Sequence, residues 1–185
     1  MKKLDPKILE TGDVIVVYGG RGLISRLIAK ITDNGTGYWS HCGMACSITD
    51  TMQTVVHAEE RGVIAVSIED FMAGRKAWAV MRAKKPFDKE LCKTKLYCSL
   101  KKPYAYKQLL IDLIAAWWRK RVGIGALQLF KMNPGGYTCS ELCAMVLGYF
   151  GIQVGPPNRP QLSAPSDFMA SHDLVCIDHS EVIRG

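Results

Sequence analysis

Up to Arg82 the chain is a series of short apolar runs, each stopped by glycine, asparagine or aspartate, and that punctuation limits it to a sheet-first fold. Asp13-Val14-Ile15-Val16-Val17-Tyr18 holds four consecutive β-branched residues and reads as a buried strand, broken by Gly19-Gly20-Arg21-Gly22. Residues 38–46 and 51–58 read as a hairpin connected across 47–50, and 62–68 as a further alternating strand. A helical turn over 68–74 leads to Ala77-Trp78-Ala79-Val80-Met81-Arg82, which closes the β-rich half. The apolar spacing then becomes helical over 88–100, 107–120 and 140–151, with a short helix over 166–171 behind Pro165-Ser166-Asp167 and a last strand over 174–177. An earlier helical stripe covers 23–31, followed by a loop at 33–37. Strands grouped early and helices grouped late predict an α+β fold. At 185 residues, without repeats or a break in composition, residues 1–185 form a single domain.

Hydrophobic residues make up 48% and charged residues 22%, the balance of an ordinary globular chain. No run approaches the ~18 consecutive apolar residues of a membrane span. Met1-Lys2-Lys3-Leu4-Asp5-Pro6-Lys7 lacks the apolar core of a signal peptide, so the expectation is a cytoplasmic, reducing location. The seven cysteines are odd in number and show no secreted disulfide framework. They contain no CxxC pair, so zinc is not expected, and no motif calls for a cofactor.

The net charge of +7 is concentrated in residues 84–131. Either this is a solvated lysine-rich surface, or it attracts an anionic membrane or acidic polymer. Trp117-Trp118 before Arg119-Lys120-Arg121 would suit a lipid interface, but such a helix more often packs against its own domain. No nucleic-acid-binding motif accompanies the basic residues, so nucleic acid is not the expected partner.

One cysteine stands in a reactive context. Gly135-Gly136-Tyr137-Thr138-Cys139-Ser140-Glu141-Leu142 is a glycine-rich turn running into an apolar helix. A thiol there lies at the positive end of the helix dipole, which favours the nucleophilic thiolate. Far upstream, Ser40-His41-Cys42-Gly43-Met44 and Val55-Val56-His57-Ala58 place histidines on the two strands of the expected hairpin. With the connection centred on Thr49, His41 and His57 lie directly opposite, at the ~4.5–5.5 Å Cβ spacing of cross-strand neighbours. One imidazole would then exchange a proton with Cys139 while the other fixes its orientation. His41 and Cys42, adjacent on a strand, point to opposite faces. His172 and His179 read as surface residues.

These segments resemble, in order, the circularly permuted papain-like cysteine hydrolases related to NlpC-type amidases. Within that group the segments most resemble the YiiX-like branch and, more distantly, lecithin retinol acyltransferase. The resemblance is carried by Gly12-Asp13-Val14-Ile15, Ser40-His41-Cys42-Gly43-Met44, Val56-His57-Ala58 with Arg61-Gly62-Val63, Lys102-Pro103-Tyr104-Ala105-Tyr106, Tyr137-Thr138-Cys139-Ser140-Glu141-Leu142 and, more weakly, Ala164-Pro165-Ser166-Asp167-Phe168. It implies a permuted papain-like (NlpC-type) fold, an antiparallel sheet packed against helices.

The resemblance also implies Cys139 as nucleophile, His41 as general base and then acid, and His57 as its orienting partner. The YiiX-like branch commonly has glutamate at the position of His57, and the acyltransferase relatives have histidine. A shifted register would bring in Glu59 or Glu60 instead. Ala105 replaces the family's aspartate, and Glu141 reads as support for the helix. The backbone N–H of Cys139 is one oxyanion donor, and the Tyr18 or Tyr137 hydroxyl is a candidate second.

The leading expectation is a thiol hydrolase, an amidase acting on peptide or cell-wall (peptidoglycan-type) substrates. A lipid-acting acyltransferase or thioesterase on the same cysteine is the alternative. An inactive binding or structural module of the same fold is the third.

Overall fold

The computed structural model describes residues 2–19, 39–47, 53–105, 136–156 and 163–180. In chain order the elements are β1 (Val14–Tyr18), β2 (His41–Ser47), β3 (Gln53–Glu59), β4 (Gly62–Ser67), α1 (Ile68–Met72), β5 (Ala77–Ala83), α2 (Lys89–Ser99), α3 (Cys139–Tyr149), α4 (Pro165–Ala170) and β6 (Leu174–His179). The expectations at 23–31, 33–37 and 107–120, with Trp117-Trp118 and the basic triplet after it, lie outside the described residues.

The strands form one six-stranded antiparallel sheet in the order β4-β3-β2-β1-β5-β6. β1 is central, and its first four residues are wholly buried, which is why it reads as a continuous apolar run. Alternation divides its side chains between two cores. Val14 and Val16 face α2, α3 and α4 with Cys42, Met44, Leu142 and Leu147. Ile15 and Val17 face α1 with Val55, Phe71, Trp78 and Val80. Each such branched side chain contributes roughly 1.5–3 kcal/mol by leaving water. The fold is thus α+β, with a helical layer on one face and the short α1 on the other.

At one end of the sheet Arg82 holds the buried Asp13 with two hydrogen bonds, Nε to Oδ1 at 2.8 Å and Nη2 to Oδ2 at 2.7 Å. The same guanidinium reaches Glu10 at 2.8 Å and the Ile8 carbonyl at 2.7 Å, fastening the N-terminal segment to β5. The other end gathers Tyr18, His41, His57 and Ala77 on neighbouring strands.

The hairpin register differs from expectation by two residues. Ser47 pairs with Gln53 and Met44 with Val56, so the ladder is centred on residue 50 rather than 49. Counting on, His57 faces Gly43 and not His41. A shift of two preserves which face each side chain takes, whereas a shift of one would have separated the histidines.

Among the described residues no helix is long and apolar enough to cross a membrane.

Candidate active site

α3 begins one residue earlier than the apolar pattern indicates, so Cys139 is its first residue and not the one before it. Thr138 caps the helix by accepting from the Glu141 amide at 3.2 Å, while the buried Glu141 carboxylate accepts from the Thr138 amide at 3.4 Å. Glu141 therefore supports the helix. Ser140 donates to the Ser163 carbonyl at 2.6 Å, tying the same turn to the segment before α4. On its other side, Tyr137 pairs with Tyr104 in a short parallel bridge, exchanging backbone hydrogen bonds of 3.1 Å with Pro103 and Ala105. The 102–105 segment, where Ala105 is buried, is thus a strap that fixes the approach to Cys139.

The two histidines meet although they are not directly opposite. His41 Nε2 lies 3.0 Å from His57 Nδ1, and the rings are nearly perpendicular at 5.1 Å between centroids. Gly43 makes this diagonal contact feasible. A Cβ there would stand 2.5 Å from Val55 Cγ1, 3.0 Å from Phe71 Cε2 and 3.1 Å from His57 Cβ. With no side chain between them, Phe71 closes over the pair, its ring 5.6 Å from that of His41 and 5.2 Å from that of His57. Glu59, the expected alternative, is instead paired with Arg61 at 3.0 Å, and Glu60 is exposed in the turn that follows.

Electrostatics separates the roles of the rings. His57 is 4% exposed. Burial, followed by the charges of His41, Arg75 and Arg61, pushes its pKa down to about 3, so it is neutral near pH 7. Cys139 is drawn well below the ordinary thiol value. A hydrogen bond from the Cys42 side chain is the largest cause and outweighs burial. The charge of His41 and a hydrogen bond from it act in the same direction, joined by the Cys42 backbone. Cys42, wholly enclosed on β2, is pushed the opposite way by burial first and then by Cys139 and Cys143, and so remains a thiol. Cys139 thus shares the helical-face core with Cys42 and feels the His41 imidazole at the strand end.

The oxyanion candidates have different positions. Tyr18 packs on the same face as Cys139, at the end of β1 beside the start of β2. The Tyr137 hydroxyl accepts from Lys102 Nζ at 3.2 Å, with the ammonium 5.1 Å from the ring centroid. The Cys139 amide belongs to the first turn of α3, where intrahelical acceptors are missing. Among the described residues, no group of three or more His, Cys, Asp or Glu is arranged to hold a metal ion.

Sequence reasoning singled out Cys139, His41 and His57 but missed Cys42 as a contact of the thiol, Gly43 as the opening for the histidine pair, and Phe71 and Arg75 beside it. A glycine within a strand pattern was the available signal for a close approach. Neither Phe71 nor Arg75 carried one. Comparison with protein-family models and with curated proteins matches the chain to none.

Proposed function

We propose that this chain is a cysteine hydrolase of circularly permuted papain-like architecture that cleaves amide bonds, with peptidoglycan-type peptides as the substrate class. The reading is carried by the 3.0 Å contact between His41 Nε2 and His57 Nδ1, next to a thiol at a helix N-terminus whose pKa His41 helps to lower. Because His57 is neutral, its Nδ1 accepts a hydrogen from His41 Nε2, with its own proton on Nε2. That bond fixes the His41 ring and leaves Nδ1 to exchange a proton with Cys139.

In the first step the Cys139 sulfur attacks the substrate carbonyl carbon, and the C–N bond breaks. His41 gives the departing amine the proton it took from the thiol. The Cys139 amide stabilises the oxyanion, and Tyr18, on the same face, is the stronger of the two tyrosine candidates for a second donor. Water then attacks the thioester, returning a proton to His41 and releasing the acid. His57 stays neutral throughout and acts by orientation.

Intact-mass measurement after incubation with peptidoglycan-derived peptides tests the reading. A thioester adduct on Cys139 and release of a free amine are expected in the wild type, and both should disappear in Cys139→Ala. Amine release that continues in Cys139→Ala would refute it.

A further inference from the structure

Arg75 lies in the turn between α1 and β5, at the histidine end of the sheet, and is half-buried. Its Nε donates to the Phe71 carbonyl at 3.2 Å and its Nη1 to the Gly19 carbonyl at 2.7 Å. Its guanidinium carbon lies 5.7 Å from the centroid of the Phe71 ring, the ring that covers both histidines. Gly19 is held in place in turn. Its φ is +103°, and a Cβ there would stand 2.8 Å from the Lys76 amide, which donates to the Tyr18 carbonyl at 2.8 Å. The guanidinium is therefore fixed by backbone on two sides and stacked on a third, which is the preorganisation that recognition of a planar anion requires.

Among the described residues no carboxylate pairs with Arg75, and the nearby Glu59 is already held by Arg61. The negative charges that Arg75 feels are the Cys139 thiolate and Glu59, and its pKa is lowered overall by burial. A partly desolvated guanidinium with N–H donors to spare, against the ring that covers both histidines, is costly to maintain without a ligand.

We propose that Arg75 reads the substrate, binding a carboxylate carried by the acyl group that Cys139 attacks. The inference rests on the hydrolase reading above and narrows its substrate to acidic acyl groups. Among the described residues both of its hydrogen bonds, through Nε and Nη1, go to backbone, so the remaining N–H groups are available to the ligand.

Two alkylating probes test this without a known substrate. Iodoacetate and iodoacetamide offer the same carbon to the sulfur, but only iodoacetate carries a carboxylate beside it. Rates at Cys139, measured by peptide mass spectrometry and corrected for thiolate fraction from each variant's own pH profile, give an iodoacetate-to-iodoacetamide ratio. In wild type the ratio should exceed that of a free thiol such as glutathione. In Arg75→Gln it should fall about tenfold, the factor that ~1.4 kcal/mol represents, and Arg75→Lys should recover part of it. Added chloride should lower the wild-type ratio, a measurement that needs no variant to fold.

A ratio equal in wild type and Arg75→Gln would overturn the proposal. So would a change confined to the pH profile with the corrected ratio constant, which would make Arg75 a counter-ion of the thiolate only. If Cys139 reacted with iodoacetamide no faster than glutathione at neutral pH, the hydrolase reading itself would fail, a result separable from either of these.

Discussion

Acidification should destabilise this protein through one imidazole. His57 has a folded pKa of about 3 against an ordinary value of 6.5. Between those values the unfolded chain binds a proton that the folded chain does not, so stability rises with pH there. The contribution is complete above pH 6.5 and is lost progressively as pH falls toward 3. From these two values, linkage gives a loss of about 2 kcal/mol by pH 5 and about 3 kcal/mol by pH 4. Urea unfolding at pH 7.5 and pH 5 is the appropriate assay, because the carboxylates whose pKa the fold lowers, Glu10 and Asp178, are still ionised at pH 5. His57→Gln removes the titrating group while retaining an amide that can accept from His41. The wild type should lose about 2 kcal/mol between the two conditions and His57→Gln much less. Equal losses in the two proteins would refute the claim that His57 is buried as the neutral base.

Three further perturbations follow from the geometry. Gly43→Ala places a methyl group 2.5 Å from Val55 Cγ1 and 3.1 Å from His57 Cβ; the overpacking should cost about 1–3 kcal/mol in denaturant unfolding and slow alkylation of Cys139. Asp13→Ala strands the Arg82 guanidinium of its buried partner, at an expected cost of about 2–4 kcal/mol in urea unfolding, with the pH profile of Cys139 alkylation unmoved because the pair lies at the other end of the sheet. Thr138→Ala removes the cap beside the thiol and should cost about 1 kcal/mol by thermal or urea unfolding, and restoring the hydroxyl with Ser should recover most of it.

Among the described residues the strands and helices were legible because their apolar periods are uninterrupted: β1 as a run buried over its first four residues, α3 by the spacing of Leu142, Met145 and Val146. The histidine pair was legible as a shared face but not as a register. Patterns of period two are insensitive to a two-residue slip, so they left the alignment open. The diagonal reach across Gly43 therefore had to come from coordinates. Cys42 was correctly placed on the face opposite His41, yet nothing in a strand pattern indicates which helix residue will press on it. Arg75 sits in a turn, where no periodicity operates, and its importance comes from what it holds: the Phe71 carbonyl four residues back, the Gly19 carbonyl far away in sequence, and the ring over the histidines. The basic segment was read as a possible lipid contact from charge and tryptophan placement, and most of it falls outside the described residues.

The central claim is that His41 draws the proton from Cys139. The most direct test follows iodoacetamide modification of the Cys139 peptide against pH, in wild type and His41→Ala. The wild-type rate should rise with an inflection well below the ~8.5 of a free thiol, and the His41→Ala inflection should lie at least about one unit higher. Two superimposable curves, both rising where an ordinary thiol ionises, would contradict the account.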